Sequence, residues 1–274
     1  TRIFIWILFL VLFWSASAVL PQSQQISQNK PTPYWQEAGL PYIKNFTYED
    51  FKTEGQNWTI VQDLRGVMYF GVNDGVLEYD GVSWHLIPIS NKSAARSLAI
   101  DESGRIYVGA QGEFGYLAPD SLGQMRYISL LAKVNPGQRE FADVWSTLII
   151  DEDIYFVAPQ YLFRWQPGNP GAADMPDSGQ IRFWQPETSF HKAFVVQNAI
   201  YIWQRKIGLM TLTGDSLQML PGGEQFADVS IEAMMPFPND KSKFSIGAAT
   251  DQPLMVLVGT HTQGLFLYDG VTFK

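Results

Sequence analysis

A chain of 274 residues with a formal charge of −8 is long enough to bury a large core, and its surface has the wrong sign for neutralising nucleic-acid phosphates. The absence of cysteine excludes a disulfide framework, a thiolate metal site and a cysteine nucleophile. Hydrophobic residues make up 46%, with 9 Trp, 12 Tyr and 18 Phe, which excludes a disordered chain and suits sheets packed on other sheets.

In chain order, Arg2 precedes the apolar run Ile3 to Trp14 and the small residues Ser15-Ala16-Ser17-Ala18. One positive charge, a short apolar stretch and an Ala-x-Ala site predict a secretory signal peptide over 1–20, cut after Ala18, with an uncleaved membrane anchor as the alternative. Thr1 in place of Met implies a start further upstream. Residues 21–33, rich in Gln, Ser, Asn and Pro, read as a linker. Residues 34–56 carry scattered aromatics without a clean period. They are expected to pack against the domain and to supply one strand.

From residue 57 the chain repeats. Val67 to Trp84, VMYFGVNDGVLEYDGVSW, reads as a strand, a tight turn, a second strand, another tight turn and the start of a third, its Asn-Asp-Gly and Asp-Gly turns carrying the chemistry of β-hairpins. Near the C-terminus, Leu254 to Phe273 reads LMVLVGTHTQGLFLYDGVTF, which aligns Gly259 with Gly71 and Tyr268-Asp269-Gly270 with Tyr79-Asp80-Gly81. Units are read at about 57–87, 96–130, 143–185, 191–220 and 229–274, the last stopping inside its fourth strand. Tyr69, Tyr107, Tyr155, Tyr201 and Leu257 mark equivalent positions at intervals of 38, 48, 46 and 56 residues. The long intervals contain loop insertions, Gln166 to Gly179 and Pro238 to Gln252. A second echo pairs Phe141-Ala142-Asp143-Val144 with Phe226-Ala227-Asp228-Val229. The expected fold is all-β, a β-propeller of four-stranded antiparallel blades with five blades visible and further blades beyond Lys274. Closure of five blades alone, with the lead-in segment completing the last, is the alternative.

The motifs point away from catalysis. His85, His191 and His261 are far apart, so no zinc site is expected. Glu49-Asp50 and Asp151-Glu152-Asp153 lack the alternating ligand loop of a calcium site, and the Asp-Gly pairs read as turns. There is no nucleophile elbow and no phosphate loop, so neither catalytic residues nor a cofactor are assigned. The ligand face of a propeller is built by the segments leading into first strands and by the turns between second and third strands. The former present Trp58, Arg96, Trp145, His191 and Glu232; the latter present Asn73, Gln111, Glu113, Gln160, Arg205 and Thr262. Indoles, amides, carboxylates and guanidinium together suit a polar ligand with apolar faces, such as an oligosaccharide.

The run from Gly75 to Gly81 before Trp84, and NWTIVQDLRGVMYFGVNDGVLEYDG followed by GRIYVGAQGEFGYLAPDSLG, resemble the two-component regulator propeller repeat. The likeness spans Asn57 to Lys274 and is most specific in the first, second and fifth units. It implies the periplasmic sensor region of a bacterial transmembrane signalling protein, non-catalytic in this segment. It also implies a downstream triple-tyrosine sandwich, a membrane span and an output domain. A small-molecule or oligosaccharide ligand and a homodimer are the implied partners, with no nucleic acid. Two other readings stay open: a secreted propeller enzyme acting on polysaccharide through carboxylates such as Glu113 or Glu232, and a protein-interaction scaffold.

Overall fold

The computed structural model describes residues 43–53, 55–168, 179–237 and 255–274. The expected signal peptide and linker, the start of the lead-in segment, and most of both loop insertions lie outside the described residues. Phe46–Lys274 forms one compact unit.

That unit is nearly all β. The first sheet is β1 (Thr59–Gln62), β2 (Met68–Val72), β3 (Gly75–Tyr79) and β4 (Trp84–Ile87). The second is β5 (Ala95–Ile100), β6 (Ile106–Ala110), β7 (Glu113–Pro119) and β8 (Met125–Ser129). The third is β9 (Ser146–Ile150), β10 (Asp153–Val157), β11 (Leu162–Gln166) and β12 (Gln180–Trp184). The fourth is β13 (Ser189–Val196), β14 (Ala199–Arg205), β15 (Gly208–Thr213) and β16 (Ser216–Met219). The fifth has three strands, β17 (Ile231–Phe237), β18 (Met255–Thr260) and β19 (Leu265–Tyr268), and Lys274 exchanges backbone bonds of 2.8 and 2.9 Å with Leu267 as the beginning of a fourth. All neighbouring strands are antiparallel, and each sheet is a meander in sequence order.

The turns hold because short acidic side chains cap their own backbone. Asp63 Oδ1 accepts the N–H groups of Arg65 (2.8 Å) and Val67 (3.0 Å). Asp80 and Asp269 do the same for the two residues after each Asp-Gly pair, at 2.7–3.0 Å. These carboxylates are therefore committed to turn geometry.

First strands lie side by side in the order β1, β5, β9, β13, β17, and a separate hydrophobic cluster fills each gap between successive sheets. Tyr69, Val76 and Ile87 meet Leu98, Ile106 and Leu117; Phe114 and Tyr116 meet Phe156, Phe163 and Trp165. Tyr155 and Leu162 meet Ile200 and Ile202; Tyr201 and Trp203 meet Ile231, Val256 and Val258. This is the radial packing of propeller blades. Among the described residues no comparable packing joins β17 back to β1, so the array is an incomplete propeller.

Among the described residues, each terminal blade has a neighbouring sheet on one face only. On the outer face of the first sheet, Trp84 is met by Phe46 (5.1 Å) and Phe51 (5.6 Å) from the lead-in segment. There the described part of the segment forms a single helical turn, α1 (Tyr48–Phe51): the Asp50 carboxylate accepts the Thr47 N–H at 2.7 Å and closes the turn locally. On the fifth sheet Met235, Leu257 and Leu267 stand in one cross-strand row, with Met235 49% exposed and Leu265 71% exposed beside them. Glycines tell the same story. A Cβ on Gly71 would lie 2.7 Å from the Ala95 carbonyl oxygen of the second sheet, and one on Gly109 would lie 2.5 Å from Val144 and 2.7 Å from Thr147 of the third. At Gly259 the nearest atoms are 3.6 Å away and belong to its own sheet.

Candidate functional site

The segments leading into first strands and the second-to-third strand turns share one end of the sheets. Backbone hydrogen bonds stitch them together there. Trp58 N–H donates to the Gly71 carbonyl (2.8 Å), Gly112 N–H to Ala142 (3.1 Å), Lys206 N–H to Ala227 (2.8 Å) and His261 N–H to Ser230 (2.8 Å). The repeated Phe-Ala-Asp-Val thus has a physical reason. In both copies the alanine carbonyl receives the preceding blade's turn, and the aspartate receives a cation from that blade: Arg96 on Asp143 at 2.6 Å, Lys206 on Asp228 at 2.6 Å.

Four of the sequence-predicted ligand residues come together at this end. The Arg96 guanidinium carbon lies 3.9 Å from the centre of the Trp58 ring and 5.2 Å from that of Trp145, and the two indoles meet edge-on at 5.9 Å. Trp58 Nε1 donates to Asn73 Oδ1 at 2.9 Å, which fixes the indole against the turn after β2. Arg96 and Asp143 keep only 15% and 17% of their side chains exposed, so their attraction is less screened than that of a surface pair. Arg96 Nη1 is buried without a hydrogen-bond partner, and Trp145 remains 37% exposed. The arrangement is a cation–π stack, with one indole presented outward.

Gln111 and Gln160 sit beside this cluster and are tied to its backbone. Gln111 bridges to Asp143, and its carbonyl accepts Asn91 Nδ2 at 2.9 Å. Gln160 Oε1 accepts the Ala142 N–H at 3.0 Å. Glu113 is placed differently: it is 4% exposed and turned into the blade, where its Oε1 accepts Ser129 Oγ (2.8 Å) and the Phe114 N–H (3.0 Å). Burial pushes its carboxyl up, opposed by those hydrogen bonds. It occupies the first position of a third strand, where Gly75 and Gly208 stand in other blades; there a Cβ would lie 2.4 Å from a carbonyl oxygen of Ile87 or Gly223.

The remaining four, His191, Arg205, Glu232 and Thr262, belong to the fourth and fifth blades. Glu232 accepts Lys192 Nζ and, at 2.7 Å, Ser230 Oγ; these bonds hold its carboxyl below the usual range. Arg205 and Thr262 line a cleft with Lys206, Asp228, Ser230 and His261. His191 packs on Trp203 at 5.4 Å with its Nδ1 buried and unpartnered. Burial, then the nearby charges of Lys192 and Arg205, depress its pKa, against a smaller pull from Glu232. The folded chain therefore keeps His191 neutral below its ordinary value of 6.5, where the unfolded chain takes up a proton. Stability from this group is present above that value and is lost as pH falls. His191→Gln is expected to flatten the fall of melting temperature between about pH 7 and 5. A slope unchanged by the substitution would show that other groups set it.

Sequence reasoning missed Asp143, Lys192, Ser230 and His261. Asp143 lay within the Phe-Ala-Asp-Val echo, which was read only as a register mark. At the opposite end, two carboxylates of the Asp151-Glu152-Asp153 turn, Asp151 and Asp153, have side-chain partners. Asp151 accepts Asn198 Nδ2 at 3.1 Å, and Asp153 accepts Gln166 Nε2 at 2.8 Å with Arg164 3.6 Å away. They border a cleft of about 540 Å³ between the third and fourth blades. Among the described residues no cluster of His, Cys, Asp and Glu could hold a metal, and no helix is long and apolar enough to cross a membrane.

Neither a family model nor a curated protein matches the chain. Among solved structures it is similar to extracellular domains of signalling proteins. One, described as that of the one-component system BT4673 from B. thetaiotaomicron, aligns with a TM-score of 0.53 at 18% identity over 80% of this chain and 27% of that one. A second, described as the extracellular domain of the hybrid two-component system BT4673, gives 0.50 at 16% identity over 80% and 27%. The extracellular domain of the hybrid two-component system BT3049 from the same organism gives 0.49 at 14% over 84% and 36%. The chain thus spans 27% of the length of the first two, and the likeness establishes the fold.

Proposed function

We propose that this chain is part of the extracytoplasmic, periplasmic sensing region of a bacterial membrane-bound signalling protein, and that it binds a polar small molecule or oligosaccharide without transforming it. The observation that carries the reading is the indole–guanidinium cluster. Trp58, Arg96 and Trp145 come from three different blades, are held by Asp143 and Asn73, and leave Trp145 37% exposed, a surface on which a sugar ring could stack. The fold shared with the extracellular domain of BT4673 supports the placement outside the cytoplasm. Three carboxylates at this end are already engaged, Asp143 by Arg96, Glu113 inside its blade and Glu232 by Lys192 and Ser230, which favours binding over hydrolysis.

Ligand held across three blades biases their relative arrangement. Its differential affinity for two arrangements sets how far a downstream sandwich, membrane span and output domain respond, in one chain or across a homodimer. The test is calorimetric titration with a panel of neutral oligosaccharides. Trp145→Ala is expected to weaken the binding partner found there by about tenfold or more, the loss of one stacking surface, without a change in fold. Binding indifferent to Trp145→Ala and Trp58→Ala would overturn the assignment, and release of shortened sugars from a polysaccharide would establish the enzyme reading instead.

A further inference from the structure

The cleft at the fourth and fifth blades has a chemistry unlike that of the indole cluster. It encloses about 350 Å³, within the range of small-ligand sites. Its walls are the end of β14 and the turn after it (Arg205 and Lys206), the segment from Ala227 to Ser230 that leads into β17, and the turn after β18 (His261 and Thr262). Two backbone bonds of 2.8 Å, from Lys206 to Ala227 and from His261 to Ser230, hold these walls in place before any ligand arrives. The Trp203 indole, 4% exposed and anchored by its Nε1 to the Phe226 carbonyl at 2.7 Å, closes the inner side.

Charge in this cleft is unbalanced. Lys206 is paired with Asp228, and Lys192 beside it with Glu232. Arg205 is exposed, lines the cleft, and has no carboxylate or carbonyl partner for its guanidinium among the described residues. One uncompensated positive charge therefore remains, on a chain whose net charge is −8. A dianion such as phosphate carries more charge than one free guanidinium offsets and would share the cleft with the Asp228 carboxylate, whereas a single carboxylate matches that guanidinium.

We propose that this cleft is a second binding site, separate from the indole cluster, for a small organic monocarboxylate of monosaccharide size, with Arg205 as its anchor and the Thr262 hydroxyl beside it. The proposal stands whether or not the indole cluster binds sugar.

Calorimetric titration of the chain with glucuronate, glucose and inorganic phosphate tests it, because glucuronate and glucose differ only in the carboxylate. Glucuronate is expected to bind, less tightly as salt rises, and glucose at least tenfold more weakly. Arg205→Ala is expected to reduce glucuronate affinity by about ten- to a hundredfold, the loss expected for a charge-assisted hydrogen bond, with an unchanged melting temperature. Arg205→Lys should recover part of it. Equal affinity for glucose, preference for phosphate, no uptake of glucuronate, or affinity unchanged in Arg205→Ala would each overturn the proposal. So would a loss of glucuronate binding confined to Trp145→Ala, which would place the anion at the indole cluster.

Discussion

Phe114→Ala is expected to destabilise the chain by about 3–5 kcal/mol, the range for removing a fully buried phenyl ring. In a domain of this size that is roughly 6–20 °C of melting temperature. Phe114 is fully buried where the second and third blades meet. It stacks on Phe156 at 4.5 Å, with Phe163 at 5.0 Å and Phe141 at 5.7 Å. Every one of those rings belongs to the third blade or to the segment leading into it, so a truncated Phe114 leaves a void that neither sheet can close without shifting its strands. Leu122→Ala is the control, because Leu122 is 83% exposed in a turn of the same blade and its truncation is expected to change stability by no more than about 0.5 kcal/mol. If both variants melted alike, the aromatic wedge would not be what joins these blades.

Gly109→Ala is the second large effect, and it is informative only beside Gly259→Ala. At Gly109 an added methyl would meet Ser97 Oγ at 2.4 Å, Val144 at 2.5 Å and Thr147 Oγ1 at 2.7 Å. The two hydroxyls are buried and bonded to each other at 2.8 Å, and Ser97 also donates to the Val144 carbonyl at 2.8 Å. Overpacking that site is expected to cost about 1–3 kcal/mol, with any broken hydroxyl bond adding to it. Gly259 holds the corresponding place in the fifth blade, yet its nearest atoms are an ordinary 3.6 Å away. Gly259→Ala is therefore expected to change the melting temperature of this chain little. In a longer chain that supplies a further blade against β18, the same substitution should become as costly as Gly109→Ala. Equal small effects in both chains would remove close approach of a neighbour as the reason for this glycine.

The sheets were legible because their determinants are local. Asp-Gly turns, short β-type apolar runs and short spacers identify a meander blade within about thirty to fifty residues, without knowledge of any partner strand. The grouping of Trp58, Asn73, Arg96 and Trp145 also followed from register, since each stands at the same end of its own blade. Orientation inside a turn was harder to read. Glu113 sits one position past Gly112, and that step turns its carboxylate from the outer face into the sheet, toward Ser129. Pairing between blades was not legible. The Arg96–Asp143 bond joins residues 47 apart in sequence, and which acid meets which cation depends on blade spacing, which no local pattern encodes. The helical turn at Tyr48–Phe51 was missed for a related reason: four residues closed by one acidic side chain leave no periodicity to detect.

Trp58, Arg96 and Trp145 stand at the mouths of three consecutive first strands, β1, β5 and β9. Their separations therefore follow the angle at which each sheet leans on the next, and a small lean repeated from blade to blade opens or shuts the gap between the indoles. The cluster is in effect a caliper set across the curvature of the array. A molecule bound there, as proposed, would read the lean among the first three sheets, and a change of lean imposed on them would be felt as a change of grip.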